Sequence, residues 1–369
     1  MPEVAPIPFL DLDRALDPIR DPVEEAVLEV LRDGRYILGP HVAAFEAEWG
    51  TYLGNSGADV HVVGVSSGTA ALFVALMALE IGPGDEVITT PFSFASPVEA
   101  ICRLGATPVF VDVDPETYLL DLDQVEAAIT SRTRVLLPVH LFGKCVDLER
   151  VRGLCDAHGL ALVEDAAQAH GAKSSGMVAG TVGDLACFSF YPTKNLGAAG
   201  DAGAVVTRSE AMADKVRLIA RHGSRRKYHH ELLGQNERID AVQAAVLRVK
   251  LPHLAGWNAE RRSIAGRYHD ALGGQVGLPP DSPGDVYHHM VCRIADRDNV
   301  RQTLMERGIG TGIYYPSALH TQPAFRAHMP EVPSLPVVER LTHEVLALPC
   351  FPGLRDDELF RVCAELLRV

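Results

Sequence analysis

The strongest constraint on the fold is an alternation. Through the first two-thirds of the 369-residue chain, short apolar runs of strand type alternate with helical patterns. The runs fall at 61–65, 86–89, 107–111, 135–139, 161–164, 185–190 and 204–206. Helical stretches lie between them at 68–79, 96–103, 122–129, 148–158 and 212–220. A strand that returns after each helix tends to run parallel to its predecessor. The pattern therefore predicts an α/β fold, a mostly parallel sheet covered by helices on both faces. Several strands end in polar residues, which predicts a site at the carboxyl edge of that sheet.

From 238 to about 271 the chain carries a long Ala-rich helical pattern, interrupted by Pro252. It predicts a link between a large domain, 1–250 with the N-terminal segment, and a smaller C-terminal α+β domain, 251–369. In the latter a strand is expected over 287–294, a helix around 300–306 and a terminal helix near 356–367. A formal net charge of −14 argues against general binding to nucleic acid or anionic membrane. No apolar run approaches the roughly 20 residues of a membrane span, and the N-terminus has neither a basic nor an apolar signal region. Seven scattered cysteines without a CxxC pair fit reduced thiols and a cytoplasmic location.

Two strand ends carry chemistry. The run that begins Leu162-Val163 breaks into Glu164-Asp165-Ala166-Ala167-Gln168-Ala169-His170, and the next strand breaks into Ser189-Phe190-Tyr191-Pro192-Thr193-Lys194-Asn195. A lysine that forms a Schiff base and an acid that pairs with a pyridinium nitrogen are the two groups pyridoxal phosphate chemistry needs. Lys194 and Asp165 are the catalytic candidates. Desolvation would depress the lysine pKa and suit it to move protons. Gln168, one turn on, could hydrogen-bond the ring, and His170 is as readily structural as functional.

Other features have two readings each. Ser66-Ser67-Gly68-Thr69 opens a helix after a strand and is either an anion seat on free N–H groups or an ordinary N-cap. With Asp165 and Lys194 downstream, the anion seat is the better reading. Phe94 is a core residue or a platform for a flat ring. The segment 221–230, with Arg225, Arg226, Lys227 and Tyr228, is a solvated loop or a binder of a diphosphate-bearing substrate. Its histidines have no second cluster at ligand spacing, so no metal is expected. Gly197-x-x-Gly200-x-x-Gly203 is not a dinucleotide fingerprint, and no P-loop, GxSxG or HExxH motif occurs.

Eight motifs in order across nearly the whole chain then carry a resemblance: SSGTAAL, GDEVITTPFSF, VFVDVDPETY, EDAAQAHGA, FSFYPTKNLG, GQNERIDAVQAA, GIGTGIYYPSALHTQPAF and LALPCFPGL. Together they resemble the DegT/DnrJ/EryC1/StrS family of sugar aminotransferases. The resemblance implies the aspartate-aminotransferase-like fold (fold type I) with pyridoxal 5′-phosphate as cofactor. It also implies a homodimer with shared active sites and transfer of an amino group, usually from L-glutamate, to a C3 or C4 keto group of a dTDP- or UDP-linked deoxysugar. Such sugars serve antibiotic or surface-glycan biosynthesis. By the same resemblance Lys194 matches the Schiff-base lysine, Asp165 the pyridinium partner and Gln168 the residue beside the ring. Gly68, Thr69 and Ser189 match phosphate contacts, Phe94 the stacking aromatic, and Asn236 a phosphate contact from the neighbouring subunit. Tyr315 and His320 fall in the segment that faces the sugar, and Tyr191, Arg225, Lys227 and Tyr228 are taken as further substrate contacts. Ala202 stands where many members carry glycine. Relatives that dehydrate keto sugars carry histidine in place of the lysine, so Lys194 favours transamination over dehydration. A cofactor-binding regulatory protein without turnover is the alternative from another class.

Overall fold

The computed structural model describes residues 5–54 and 59–368. Among the described residues there are thirteen strands: β1 His61–Val65, β2 Glu86–Thr89, β3 Thr107–Phe110, β4 Thr133–Leu137, β5 Ala161–Asp165, β6 Lys173–Ser174, β7 Met177–Val178, β8 Leu185–Ser189, β9 Gly203–Thr207, β10 Ser224–Arg226, β11 His229–His230, β12 Met290–Arg293 and β13 Val345–Leu348. Seven form the central sheet in the order β1-β9-β8-β5-β4-β2-β3. The pairs from β8 across to β3 are parallel, and β9 alone runs against its neighbours β1 and β8. The sheet is mostly parallel, as the alternation predicts.

Side chains that alternate along a strand divide the core in two. Val63, Val65, Leu185, Cys187 and Val205 pack with the helices Gly68–Ala78, Ser96–Arg103 and Glu210–Ala220. Val62, Ala186, Phe188, Ala204 and Val206 pack on the other face with the helices Pro40–Gly54 and Ala241–Lys250. The helix Gly68–Ala78 is apolar on nearly every side and buried along most of its length, because it lies between the sheet and two other helices.

Pro252, which has no N–H to donate, sits in a 3-10 turn, Leu251–His253, between the helices Ala241–Lys250 and Leu254–Leu272. Beyond it, β12 and β13 pair antiparallel and pack with the helices Arg297–Glu306 and Asp356–Leu366. The strand expected over 287–294 forms only at Met290–Arg293, because His288 and His289 turn toward the large sheet. The N-terminal segment packs with this C-terminal part: Ile7 pairs with Ile309, and Arg14 makes a two-bond ion pair with Glu358. Among the described residues no helix is long and apolar enough to cross a membrane.

Candidate active site

The carboxyl ends of β1, β2, β5 and β8 meet at one cleft of about 600 Å³. β5 delivers two neighbouring carboxylates to opposite faces, as a pleated strand must. Glu164 is enclosed under the turn at 180–183. It accepts N–H bonds from Gly180 (2.7 Å), Val182 (2.9 Å) and Gly183 (2.6 Å), and a fourth bond from His140 Nε2 (2.9 Å). Burial alone would raise this carboxyl, but His140 and the N–H donors outweigh it and hold it below the ordinary value. Asp165 faces the cleft instead, and among the described residues its side chain accepts only from the Ala167 N–H, at 3.0 Å. Burial therefore wins there and raises its carboxyl, while the Ala167 N–H and Lys194 pull the other way.

Lys194 follows β8 in a tight turn closed by its own N–H to Tyr191 O at 2.8 Å. Its ammonium is pushed down to about 8 by burial, opposed by the Asp165 charge. The next residue, Asn195, ties this loop to the C-terminal half. Its amide donates to Asn258 Oδ1 and Val286 O, both at 2.8 Å, and its oxygen accepts from His288 Nδ1 at 3.3 Å.

The helix start that follows β1 does two jobs. Ser67 is an N-cap, its Oγ accepting from Ala70 N at 3.1 Å. Gly68 and Thr69 then leave their N–H groups without a partner among the described residues, at the positive end of an 11-residue helix. Gly68 is required here, since a Cβ would stand 2.6 Å from Ser189 Cβ. Gly203 is required for the same reason, against Ser67 O. The Ser189 hydroxyl is thereby brought beside the helix start, at the rim of the cleft.

Gln168 is fixed by the backbone. Phe142 N–H donates to its Oε1 at 2.8 Å, so its Nε2 is the end that donates to the Tyr315 hydroxyl at 3.0 Å. Phe94 is 59% exposed and lines the cleft, which leaves the core role to the fully buried Phe92. Tyr191 also lines it. A seat for an anion, a buried amine and an isolated carboxylate thus share one cleft with aromatic walls. That donor set fits pyridoxal phosphate.

Some sequence-predicted residues are not brought there within one chain. His320 is fully buried. Its ring lies against Phe110 with Nε2 3.2 Å from Glu339, so the expectation that it faces the sugar is not met. Arg225, Arg226, Lys227 and Tyr228 lie on the exposed hairpin β10–β11 and its turn. Arg225 pairs with Glu231 at 3.4 Å, and Tyr228 is 85% exposed. Asn236 bridges to Arg221 near that hairpin, also outside the cleft. His170 packs among Trp49, Phe188 and Phe190, and burial holds its imidazole at about 3, which makes it structural. Sequence reasoning missed His288, His289, Tyr314 and Asn195. The only signal was an unusual His-His pair at the start of a strand-like run.

The family model for DegT/DnrJ/EryC1/StrS aminotransferases matches residues 18–367. This chain belongs to that family. It is 45% identical over 98% of its length to dTDP-3-amino-3,4,6-trideoxy-alpha-D-glucose transaminase of Streptomyces venezuelae, covering 95% of that protein. It is 44% identical to UDP-N-acetyl-3-dehydro-alpha-D-glucosamine 3-aminotransferase of Acidithiobacillus ferrooxidans, with 98% and 97% of the two chains covered. A third relative, 42% identical with 95% of each chain covered, is a "pleiotropic regulatory protein" of Geobacillus stearothermophilus. The crystal structure of S. venezuelae DesV in complex with a ketimine intermediate superposes with a TM-score of 0.94 at 44% identity, covering 99% of this chain and 98% of that one. The fold is that of the sugar aminotransferases and the cofactor is pyridoxal 5′-phosphate.

Proposed function

We propose that this chain moves an amino group from L-glutamate to a keto group of a dTDP- or UDP-linked hexose, at C3 in preference to C4. The observation that carries the reading is the convergence of Lys194, Asp165 and the Gly68–Thr69 anion seat in one cleft. The C3 preference rests on the two similar enzymes whose names specify a 3-amino product. When bound, the cofactor supplies a cationic ring that takes up the electron pair released at the amino-bearing carbon. Asp165, ionised opposite that cation, keeps the ring nitrogen protonated. Lys194, whose lowered pKa raises the fraction of free amine, removes the proton from Cα of glutamate. In the second half-reaction it returns a proton to the former keto carbon of the sugar. The amino group passes over in balance, giving 2-oxoglutarate and the amino sugar. A cofactor-binding regulatory protein without turnover would keep Lys194 and Asp165 too, and it is told apart by its failure to convert any keto sugar.

The test is a half-reaction screen. The enzyme carrying the amine form of the cofactor is offered 3-keto and 4-keto sugars on dTDP and UDP, and its absorbance is followed. Conversion with a 3-keto sugar supports the reading, and conversion with no nucleotide sugar overturns it.

The functional unit in this reading is a cytoplasmic homodimer, in keeping with seven free cysteines. The hairpin of one subunit, with Arg225, Lys227 and Tyr228, serves the partner's cleft together with Asn236. What supports this is exposure without a role: Tyr228 and Leu233 are 85% and 82% exposed beside a basic strand. Co-refolding Lys194→Ala with Asn236→Ala protein tests it. If Asn236 acts in trans, random pairing restores roughly a quarter of the sites. No recovery after confirmed exchange would refute it.

A further inference from the structure

The wall of the cleft opposite Asp165 is built of stacked rings. His289 lies nearly parallel to Tyr314, centroids 4.1 Å apart at 15°, and against His288 at 4.1 Å and 36°. Its backbone N–H is held by Phe142 O at 3.3 Å, so the residue is pinned to the large sheet as well as to β12. With Phe9 and Phe142 also near by, what this imidazole offers a ligand is its nitrogen-bearing edge. The two adjacent histidines differ at that edge. His288 spends Nδ1 on Asn195, whereas neither ring nitrogen of His289 has a hydrogen-bond partner among the described residues.

Burial, helped by the nearby charges of Lys194 and Arg261, pushes the His289 imidazole well below its usual value. It is therefore neutral at working pH and offers one N–H donor and one bare nitrogen acceptor. Such an edge suits a hydroxyl or a carbonyl oxygen, each of which can use a fixed neutral partner. It does not suit the two carboxylates of an amino-acid donor, which call for cations. His289 lines the same cleft as Lys194 and Asp165, so its edge is open to a ligand held there.

We propose that His289 is a specificity-determining residue that hydrogen-bonds the hexose ring of the keto sugar beside the carbon that receives the amino group. The proposal rests on the nucleotide-sugar reading given above. It assigns His289 to one half-reaction only, since the same cleft must also take the amino donor.

Two substitutions separate hydrogen bonding from packing. His289→Phe keeps a ring between Tyr314 and His288 but removes both nitrogens, and His289→Gln restores an amide without the ring. Each half-reaction is followed by stopped-flow absorbance. Titration calorimetry with dTDP-glucose, UDP-N-acetylglucosamine, free dTDP and free UDP measures binding without turnover. Loss of one neutral hydrogen bond should lower kcat/KM of His289→Phe for the keto sugar by roughly three- to tenfold. Its glutamate half-reaction should stay within about twofold of wild type by the same measure. The nucleotide hexoses should bind more weakly while free dTDP and UDP bind unchanged, and His289→Gln should recover part of the loss. Equal losses in both half-reactions, or weaker binding of the free nucleotides too, would make His289 a packing residue and overturn the proposal. No change in either half-reaction would overturn it as well. A wild-type enzyme inert toward every keto sugar offered would overturn the nucleotide-sugar reading itself, whereas an active wild type with an unaffected variant removes only the role of His289.

Discussion

Lys194 lies within the loop 192–199 and Lys250 packs against it, and burial pushes both ammonium groups down to about 8. Lys194 faces the cleft that contains Asp165, the anion seat and the aromatic walls. Lys250 ends the helix Ala241–Lys250 and lines a smaller cavity of about 300 Å³ behind the loop, where its Nζ donates to Gly197 O at 2.5 Å. The same shift thus has two settings. One lysine has Asp165 and room for a ligand, and the other is held on a carbonyl in a smaller cavity that Asp11, Asp13 and Arg261 line together with apolar side chains. A depressed pKa marks burial, and only the surrounding geometry says whether the amine can do chemistry.

The largest effect expected on either side is from Lys194→Ala. Turnover should fall by roughly 10⁴-fold or more, since both the covalent attachment and the proton carrier are lost. Borohydride reduction should no longer fix the cofactor to the chain by mass, although the cofactor still binds. Normal transamination by this variant would break the comparison outright. Asp165→Asn comes next. A neutral amide cannot hold the ring proton, and the rate should drop roughly a hundred- to thousandfold in both half-reactions alike. Near-native activity would reduce Asp165 to a cap on the Ala167 N–H.

Asn195→Ala sharpens the comparison from within the loop. The substitution leaves Val286 O, Asn258 and His288 Nδ1 short of a partner in a buried place. Urea unfolding should show a loss of about 2–3 kcal/mol. As a positioning residue, Asn195 should affect kcat, by roughly ten- to a hundredfold, with little change in KM for either substrate. Asn195→Asp, which keeps the acceptor for His288 but sets a carboxylate against Val286 O and Asn258 Oδ1, should do no better than alanine. A stability loss without a kcat effect would confine Asn195 to the scaffold.

The cleft side of this comparison was legible in the sequence and the cavity side was not, for physical reasons. An apolar strand that breaks into Ser189, Tyr191, Thr193 and Lys194 announces polar groups at a buried edge. Lys250, at the end of an Ala-rich helix, has the local pattern of a surface residue. The cavity it lines is walled in part by Leu12 and Leu16 of the N-terminal segment, and no local periodicity reports a neighbour more than 230 positions away. The reversed direction of β9 was invisible for a related reason. Its residues are buried on both faces, and such a strand reads the same in either direction. Helix Pro336–Glu344 and strand β13 lay in a stretch whose apolar run Val345–Leu348 suits a helix as well as a strand. His289 needed its ring stack to be seen, because Tyr314 is distant in sequence.

The smallest effect, and the most discriminating, is expected from Lys250→Met. The ammonium of Lys250 titrates at about 8 in the folded chain against 10.5 as an ordinary lysine. The unfolded chain therefore binds the proton more tightly, and stability must rise with pH between these two values. The cost of burying the charge is fully present below pH 8, shrinks as pH climbs through 8, and is gone above 10.5. Methionine fills a similar volume without that cost, but it strands the carbonyl of the buried Gly197. Weighing these against a group that is itself partly exposed, the variant should be more stable at pH 7 by about 1 kcal/mol. That gain should fall to zero or reverse by pH 10.5, because wild type then keeps a neutral amine that still donates to Gly197. Activity should stay within about threefold, since no substrate group meets Lys250. Thermal unfolding of both proteins across pH 7–10.5 reads the difference. A gain independent of pH would mean that packing, not charge, separates the two side chains. A collapse of activity would show that the loop transmits the Lys250 contact to Lys194, and the two sides would no longer be distinct.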